Sequence, residues 1–322
     1  MNSFRLPIFD ELRKAQNVLI AGAGGGFDVF SGLPLAFNLH AAGKSVFLAN
    51  LTFSNLPPET AGLRITPALT KVTADSVGSE LYFPEKHLSQ WFRDRGKEVP
   101  VYCFHRVGPK PVAEGYRALV EQLRIDTIVL ADGGTDSLMR GDEEDLGTPV
   151  EDMTRIAAVH SLDDSLVPRK MLVCLGFGID AFHGVCHAHA LEAVADLVRA
   201  GGYLGAFSLM DGMPEVQRFR DATEYVLART AARPSIVLTS ILSALEGRFG
   251  DHHRTDRTWG SELFINPLMA FYWCFRLGPL ARRVLYLDGM REMSGYLEVE
   301  RYIDTFHLHQ QGRRRKRRDI PL

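Results

Sequence analysis

Three stretches of the chain place glycines and aspartates directly after a short apolar run. They are residues 22–28, 132–136 and 176–180. Each run has the length of a strand and ends at Gly or Asp, which predicts a buried strand followed by a turn. Parallel strands bring their carboxyl ends, where ligands bind, to one edge of a sheet. We therefore expect the three loops to converge on one site that contains Asp28, Asp132, Asp136 and Asp180.

These four aspartates predict a site for a divalent cation. Mg²⁺ and Ca²⁺ prefer oxygen ligands, so either ion is favoured over Zn²⁺. Without a cation, carboxylates packed together would raise one another's pKa values. A bound cation can polarise a phosphoryl or glycosidic centre, and an aspartate that does not contact it can act as a general base. Asp28, Asp136 and Asp180 are therefore candidate catalytic residues as well as metal ligands.

Two histidines follow the third loop. His183 and His187 are four residues apart and would share one face of a helix that begins early enough. With Asp180 they would complete a two-histidine, one-carboxylate set of the kind that binds metals, whereas either histidine alone would suit proton transfer. Packing or helix capping is an equally open role for both.

The remaining predicted ligand contacts are loop residues. Glycine lets a ligand approach the backbone closely, and Asn, Thr and Arg side chains offer hydrogen bonds. The predicted ligand-binding residues are Gly24, Gly25, Gly26, Asn50, Gly133, Gly134, Thr135 and Arg140.

A nicotinamide or flavin site is an alternative for the same loop. Residues 22–26 lie where a dinucleotide pyrophosphate binds, but Phe27 replaces the third glycine of that fingerprint and Asn50 replaces the acid after the second strand. Asp28 also puts negative charge at a helix start, which otherwise attracts phosphate. Asp28 either caps that helix or faces a ligand. NAD(P) is therefore the alternative cofactor.

The elements that position these loops alternate between strand and helix. The predicted strands are residues 18–21, 45–51, 99–104, 126–131, 170–175 and 203–208. This alternation predicts an α/β fold, with a Rossmann-like, open, mostly parallel sheet and helices on both faces. Thr148 and Pro149 predict a helix start. Residues 52–83 predict a long excursion beside the site, and residues 235–246 fit either a strand or a helix.

Composition limits the other possibilities. The 322 residues, 46% of them hydrophobic, are enough for one α/β domain over residues 1–311, followed by a basic, disordered tail over residues 312–322. The net charge of −2 gives no pull towards nucleic acid, so we do not expect that partner despite the six cations Arg313–Arg318. No apolar run suits a membrane span, and four scattered cysteines favour a cytoplasmic protein, with homo-oligomers left open.

Two motifs resemble a known family. They are Ala-Gly-Ala-Gly-Gly-Gly-Phe-Asp-Val-Phe-Ser-Gly-Leu-Pro at residues 21–34 and Ala-Asp-Gly-Gly-Thr-Asp-Ser-Leu-Met-Arg-Gly-Asp-Glu-Glu at residues 131–144, followed by Leu-Gly-Thr-Pro-Val-Glu-Asp at residues 146–152. The pattern is similar to the bacterial and archaeal domain-of-unknown-function family numbered eleven fifty-two, over roughly the first two-thirds of the chain. The resemblance implies a single α/β domain and brings no established activity, cofactor or catalytic residue.

These features predict a hydrolase or transferase that acts on a small phosphorylated, sugar or nucleoside-type ligand with the help of a divalent cation. An atypical NAD(P)- or flavin-binding oxidoreductase that uses residues 22–26 is one alternative. A ligand-binding protein without catalysis is another.

Overall fold

The computed structural model describes residues 5–56, 63–79 and 81–320, and nine of its strands form one sheet. The strands are β1 (Asn17–Gly25), β2 (Ser45–Leu51), β3 (Arg64–Thr66), β4 (Leu69–Val72), β5 (Val101–Phe104), β6 (Thr127–Asp132), β7 (Arg169–Leu175), β8 (Tyr203–Ser208), β9 (Gly250–Asp251), β10 (Phe264–Ile265) and β11 (Phe271–Arg276). Their order in the sheet is β3-β4-β5-β2-β1-β6-β7-β11-β8, and β9 pairs with β10 separately.

The centre of the sheet is parallel. Strands β5, β2, β1, β6 and β7 run in one direction, and Ala21 of β1 pairs with Ala49 of β2 and Leu130 of β6. Strand β11 is antiparallel to both β7 and β8, so β8 has the direction of the parallel strands. The chain order of these parallel strands is that of a doubly wound fold, which confirms the predicted open, mostly parallel sheet. Strand order reverses between β1 and β6.

Helices cover both faces of the sheet, as predicted. They are α1 (Pro7–Lys14), α2 (Asp28–Ser31), α3 (Leu33–Ala41), α4 (Pro84–Arg93), α5 (Pro109–Leu123), α6 (Pro149–His160), α7 (His187–Arg199), α8 (Pro214–Arg229), α9 (Ile236–Leu245), α10 (Leu277–Arg283), α11 (Leu287–Met290) and α12 (Tyr296–His309). None of the described helices is both long and apolar enough to cross a membrane.

Alternation along β1 divides the core into two layers. Val18 and Ile20 pack into one apolar cluster with α1, α3, α4 and α8, while Leu19 and Ala21 face the other cluster with α5, α6, α7 and α12. Successive side chains of a strand point to opposite faces, so one buried strand supplies both layers. This explains why the strand is a continuous apolar run rather than an alternating one.

Several boundaries differ from the sequence prediction. β1 continues through the first glycines to Gly25, and the helical segment that follows it is divided into α2 and α3. The break falls at Gly32, where a Cβ would lie only 3.1 Å from the Ala131 Cβ. The ambiguous segment 235–246 forms α9, whose start Ser235 caps by accepting a hydrogen bond from Leu238 N at 3.1 Å.

Two strands at the sheet edge and one within it were missed. Residues 52–83, predicted as an excursion, contain β3 and β4, although residues 57–62 and 80 lie outside the described part. β11 follows a long segment without a clear period and pairs antiparallel with strands distant in the chain. Pairing between such distant segments leaves little local sequence pattern. The alternation of predicted strands and helices therefore did not reveal β11.

The basic tail, which was predicted to be disordered, makes specific contacts around Arg315. Arg315 makes ion pairs with Asp142 at 2.8 Å and with Glu143 and Glu192 at 2.5 Å each. Its backbone also forms a parallel bridge to Glu143. Basic tails were expected to find no packing partner, but the acidic loop of residues 142–145 supplies one. Residues 321 and 322 lie outside the described part.

We expect Arg315→Ala to destabilise the protein by at least about 2 kcal/mol, because it leaves the fully buried Glu143 carboxylate without its guanidinium partner. Thermal and urea unfolding measure the change. The matched control is Arg313→Ala, an exposed cation of the same tail, which should have little effect. Equal effects of the two substitutions would contradict a specific anchor at Arg315.

Candidate active site

Three carboxylates meet beside the point where strand order reverses. Asp28 follows β1, Asp132 ends β6, and Asp152 lies in the first turn of α6. Each offers a carboxylate oxygen, and these three oxygens lie within 4.8 Å of one another. Asp132 and Asp152 are buried and Asp28 is partly buried. We call these three residues the aspartate cluster.

The glycines before Asp28 make room for its carboxylate. Asp28 Oδ2 accepts a hydrogen bond from Gly24 N at 2.8 Å. A Cβ at Gly24 would lie 2.5 Å from that oxygen and 2.6 Å from Asp152 Oδ1. The side chain of Asp28 does not cap α2, because Phe27 is the N-cap and no side-chain hydrogen bond is made there. Among these glycines only Gly26 has a positive φ, of 68°.

Asp152 is the member of the cluster that sequence analysis missed. It is 2% exposed, and its Oδ2 has no hydrogen-bond partner among the described residues. An acid in the first turn of a helix suits the helix dipole, so the motif Thr-Pro-Val-Glu-Asp was explained without a site. Only the packing of α6 against β1 brings this carboxylate to Asp28.

Asp136 and Asp180 lie near the cluster, but their carboxylates accept hydrogen bonds that hold the neighbouring loops in place. Asp136 Oδ2 accepts hydrogen bonds from both N and Oγ1 of Thr148, at 2.8 Å each. Asp180 Oδ2 accepts from the backbone N of Thr135 at 2.5 Å and of Asp136 at 3.2 Å. Thr148 is the N-cap residue of α6, as predicted, but its hydroxyl bonds to Asp136 rather than to the helix. Of the four aspartates predicted as metal ligands, Asp28 and Asp132 belong to the aspartate cluster, and its third member is Asp152.

Like charges dominate the electrostatics of the cluster. Burial, and then the neighbouring aspartates, raise the pKa values of Asp28 and Asp152 well above their usual range. Burial and the charge of Asp136 raise the pKa of Asp132 to about 7. Two full charges within 4.8 Å repel by about 3 kcal/mol or more at an effective dielectric constant of about 20. Within the described residues no Lys or Arg forms an ion pair with these aspartates, so protons or a cation must offset the repulsion.

A cleft of about 780 Å³ opens beside the cluster. Its wall includes Gly25, Gly26, Asp28 and His183, which were all predicted as site residues. Sequence analysis missed the basic and aromatic part of the wall. These residues are Arg106, Arg233, Arg257, Phe53 and Tyr82. The arginines come from segments without a recognisable motif, so no sequence signal pointed to them.

Four other residues predicted to bind a ligand are buried and support the loops of the site. Asn50 is 1% exposed, and its amide donates to Gly26 O at 2.7 Å and to Glu85 Oε1 at 2.8 Å. Asn50 therefore positions residues 22–26, the glycine loop, rather than facing the cleft. Gly133, Gly134 and Thr135 are buried beneath the cluster. A Cβ at Gly133 would lie 3.0 Å from Asp28 Oδ1.

The histidine pair and Arg140 are not arranged as predicted. His183 ends a 3-10 helix, Gly184 follows with a φ of 86°, and His187 begins α7, so the histidines do not share a helix face. His187 packs on Phe177, with ring centroids 5.5 Å apart, and burial lowers its pKa. The Arg140 guanidinium binds both carboxylate oxygens of Asp142 and so is occupied outside the cleft.

The fold and the cluster define a doubly wound α/β protein with an acidic site at the switch point of its sheet. Its family follows from residues 62–292, which match the model of the family described as "Protein of unknown function (DUF1152)". The chain belongs to that family. No curated protein and no solved structure matches the chain. The match begins after Asp28 and includes the other aspartates of the site, whereas the sequence resemblance was placed over the first two-thirds of the chain.

Removing one carboxylate should stabilise the metal-free protein. In chelator at pH 8, we expect Asp152→Asn to raise the unfolding free energy by about 1 to 3 kcal/mol, because one repulsive charge is gone and no hydrogen bond to Oδ2 is lost. Asp304→Asn, in an exposed position of α12, is the matched control and should have little effect. A lower melting temperature for Asp152→Asn would contradict the repulsion.

The same repulsion predicts a pH dependence. The pKa of Asp132 is about 7 in the fold against a usual 3.8, so the folded state binds more protons than the unfolded state between these values. Stability of the metal-free protein should therefore fall as pH rises from about 4 through 7. Glu85, whose pKa burial raises to about 7, adds to the fall. Thermal unfolding in chelator across this range tests it, and a flat or rising profile would contradict it.

Proposed function

We propose that this protein is a divalent-cation-assisted hydrolase or transferase acting on a small phosphorylated ligand. The observation that carries the proposal is the pairing, in one cleft, of an acidic cluster with a basic wall. Asp28 belongs to both the cluster and the cleft, and Arg106, Arg233 and Arg257 line the same cleft. A metal suits the acids, and phosphate oxygens suit the arginines.

The donor set suits a hard cation. All three cluster ligands are carboxylates, which Mg²⁺, Mn²⁺ and Ca²⁺ prefer, and no His or Cys joins them within the described residues. The buried Asp152 Oδ2 has no partner and is available for a bond to metal. A cation bound there would supply charge stabilisation to a phosphoryl group and would lower the pKa of a bound water. The description of the matched family names no metal. The proposed metal site therefore rests on the geometry of the carboxylates alone.

The cleft has the dimensions and chemistry for a nucleotide- or sugar-phosphate-sized ligand. Its volume of about 780 Å³ lies within the usual range of small-molecule sites. Arg106 stacks over the Phe53 ring, with its guanidinium carbon 4.5 Å from the centroid, and Phe53 is 39% exposed. A base or sugar ring would pack on this aromatic part of the wall. Phosphate oxygens would bind the guanidinium groups, which are all exposed.

His183 is the side chain placed to move a proton. His183 is exposed and lines the cleft. His187, in contrast, is partly buried and packs on Phe177. Asp136 and Asp180 are engaged by backbone N–H groups of the loops, which makes them positioning residues. In this assignment Asp28, Asp132 and Asp152 bind the metal and His183 acts as general acid or base.

A dinucleotide cofactor is the second candidate, because the strand order is that of dinucleotide-binding folds and glycines occupy the end of β1. Against it, the Gly24 N–H that would bind a phosphate already donates to Asp28. A carboxylate there repels a pyrophosphate. Strong thermal stabilisation by NAD(P) or FAD without any metal would favour this candidate over the first.

The activity test is a panel of nucleotides and sugar phosphates incubated with the protein and Mg²⁺ or Mn²⁺, with phosphate release and mass spectrometry as readouts. We expect metal-dependent turnover of at least one compound and a loss of at least about 100-fold in Asp152→Asn, because a metal ligand is removed. Asp304→Asn should retain full turnover. Turnover that survives in chelator or in Asp152→Asn would contradict the proposal.

The basic wall is tested separately. We expect Arg233→Ala to raise the KM or Kd for a phosphorylated ligand about tenfold, since a charge-assisted hydrogen bond contributes about 1.5 kcal/mol or more. Metal binding should be unchanged, because Arg233 lines the cleft and makes no ion pair with the cluster. Arg248→Ala is the control, since Arg248 is exposed but outside the cleft lining. Equal affinities for both variants would contradict phosphate recognition by this wall.

A further inference from the structure

A second cavity lies at the opposite edge of the sheet from the cleft. It has a volume of about 380 Å³ and opens between α3, α4 and α8, above the start of β2. Val46 near the start of β2 contributes to it, whereas Asp28 follows the end of the parallel strand β1. The cavity and the cleft share no lining residue.

The apolar part of the cavity lining is both aromatic and aliphatic. Trp91 is 3% exposed, Phe37 is 6% exposed and Phe92 is 9% exposed, and the three rings pack on one another. Protein interiors are close-packed and rarely leave voids larger than a water molecule. An apolar cavity of about 150 Å³ suffices to bind benzene, so this one has room for a two-ring or medium-chain group.

The mouth of the cavity carries excess positive charge. Asp221, its acidic lining residue, already pairs with Arg95 at 2.5 Å and accepts a hydrogen bond from Trp91 Nε1 at 3.1 Å. Lys97 contacts His40 at 3.1 Å, and neither Lys97 nor Arg218 forms an ion pair within the described parts of the chain. These two exposed cations therefore remain available to an anionic group.

We propose that the cavity between α3, α4 and α8 binds a small amphipathic anion, namely an aromatic or medium-chain carboxylate. The apolar body packs against the wall that Phe37, Trp91 and Phe92 form, and the carboxylate lies at the mouth beside Lys97 and Arg218. Two features select this class. Apolar walls exclude sugars and free phosphate, whose polar groups would lose hydrogen bonds to water. The cationic mouth excludes metal ions and favours a carboxylate over a neutral ligand.

The proposal is tested with naphthalene-2-carboxylate and its neutral analogue naphthalene-2-methanol. Isothermal titration calorimetry and tryptophan fluorescence report binding, and Trp91 is one of three tryptophans in the chain. We expect wild-type protein to bind the carboxylate at one site and at least tenfold more tightly than the alcohol at low salt. Absence of saturable binding, or equal affinity for both compounds, would overturn the proposal.

Three variants separate charge from shape. Lys97→Glu combined with Arg218→Glu should weaken carboxylate binding at least tenfold and leave the alcohol unaffected. Arg248→Glu, a charge reversal outside the cavity, should change neither affinity. Ala36→Phe places a ring in the cavity and should abolish binding of both compounds. Its melting temperature and its circular dichroism spectrum establish that it is folded, and Val46→Phe replaces it if it is not. Undiminished binding in the folded filling variant would overturn the proposal.

Discussion

Mutual repulsion among the three clustered carboxylates is the constraint on which the candidate site depends. Asp28, Asp132 and Asp152 bring their oxygens within 4.8 Å of one another, and no Lys or Arg of residues 5–56, 63–79 and 81–320 forms an ion pair with them. The nearest buried cation in sequence, Arg155 of α6, donates to the Glu151 carbonyl and not to a carboxylate. Such an arrangement costs stability unless protons or a cation neutralise it. Our proposal is that a bound cation supplies this neutralisation.

The surrounding structure holds the carboxylates together against this repulsion. Parallel pairing of β1 with β6 fixes Asp28 and Asp132 at adjacent strand ends. Asp180 accepts two backbone N–H groups from the loop after β6, and Asp136 ties that loop to the start of α6 through Thr148. The loops are therefore braced by two more aspartates, which increases the local negative charge further. Glycine at position 24 leaves the space that the Asp28 and Asp152 oxygens fill.

Sequence patterns identified the part of the site that depends on local signals. Apolar runs followed by Gly and Asp located the carboxyl ends of β1, β6 and β7, and parallel pairing then brought Asp28, Asp132, Asp136 and Asp180 into one region. The local sequence pattern could not distinguish an aspartate placed to bind a cation from one that holds the loops in place by accepting hydrogen bonds. That distinction depends on which N–H groups each carboxylate accepts, and on the packing of α6 that delivers Asp152. The arginines of the cleft wall and the pairing of β11 are equally nonlocal, because segments far apart in the chain form them.

Strand β2 connects the two ends of the sheet at which ligands are proposed to bind. β2 begins at the apolar cavity with Val46 and ends at Asn50 and Leu51, whose polar groups bond to Gly26 of the glycine loop. The doubly wound sheet thereby separates an acidic, basic-walled cleft at its carboxyl edge from an apolar cavity at its amino edge. Their chemistries differ enough that the occupant of one does not compete for the other.

The most direct measurement of the central claim is anomalous X-ray scattering from crystals of the protein grown with Mn²⁺ and a control set grown in chelator. The account predicts a manganese peak bonded to carboxylate oxygens of Asp28, Asp132 and Asp152, at about 2.2 Å from each oxygen. Crystals that show the three carboxylates in the same positions at saturating Mn²⁺, with no anomalous peak among them, would contradict it.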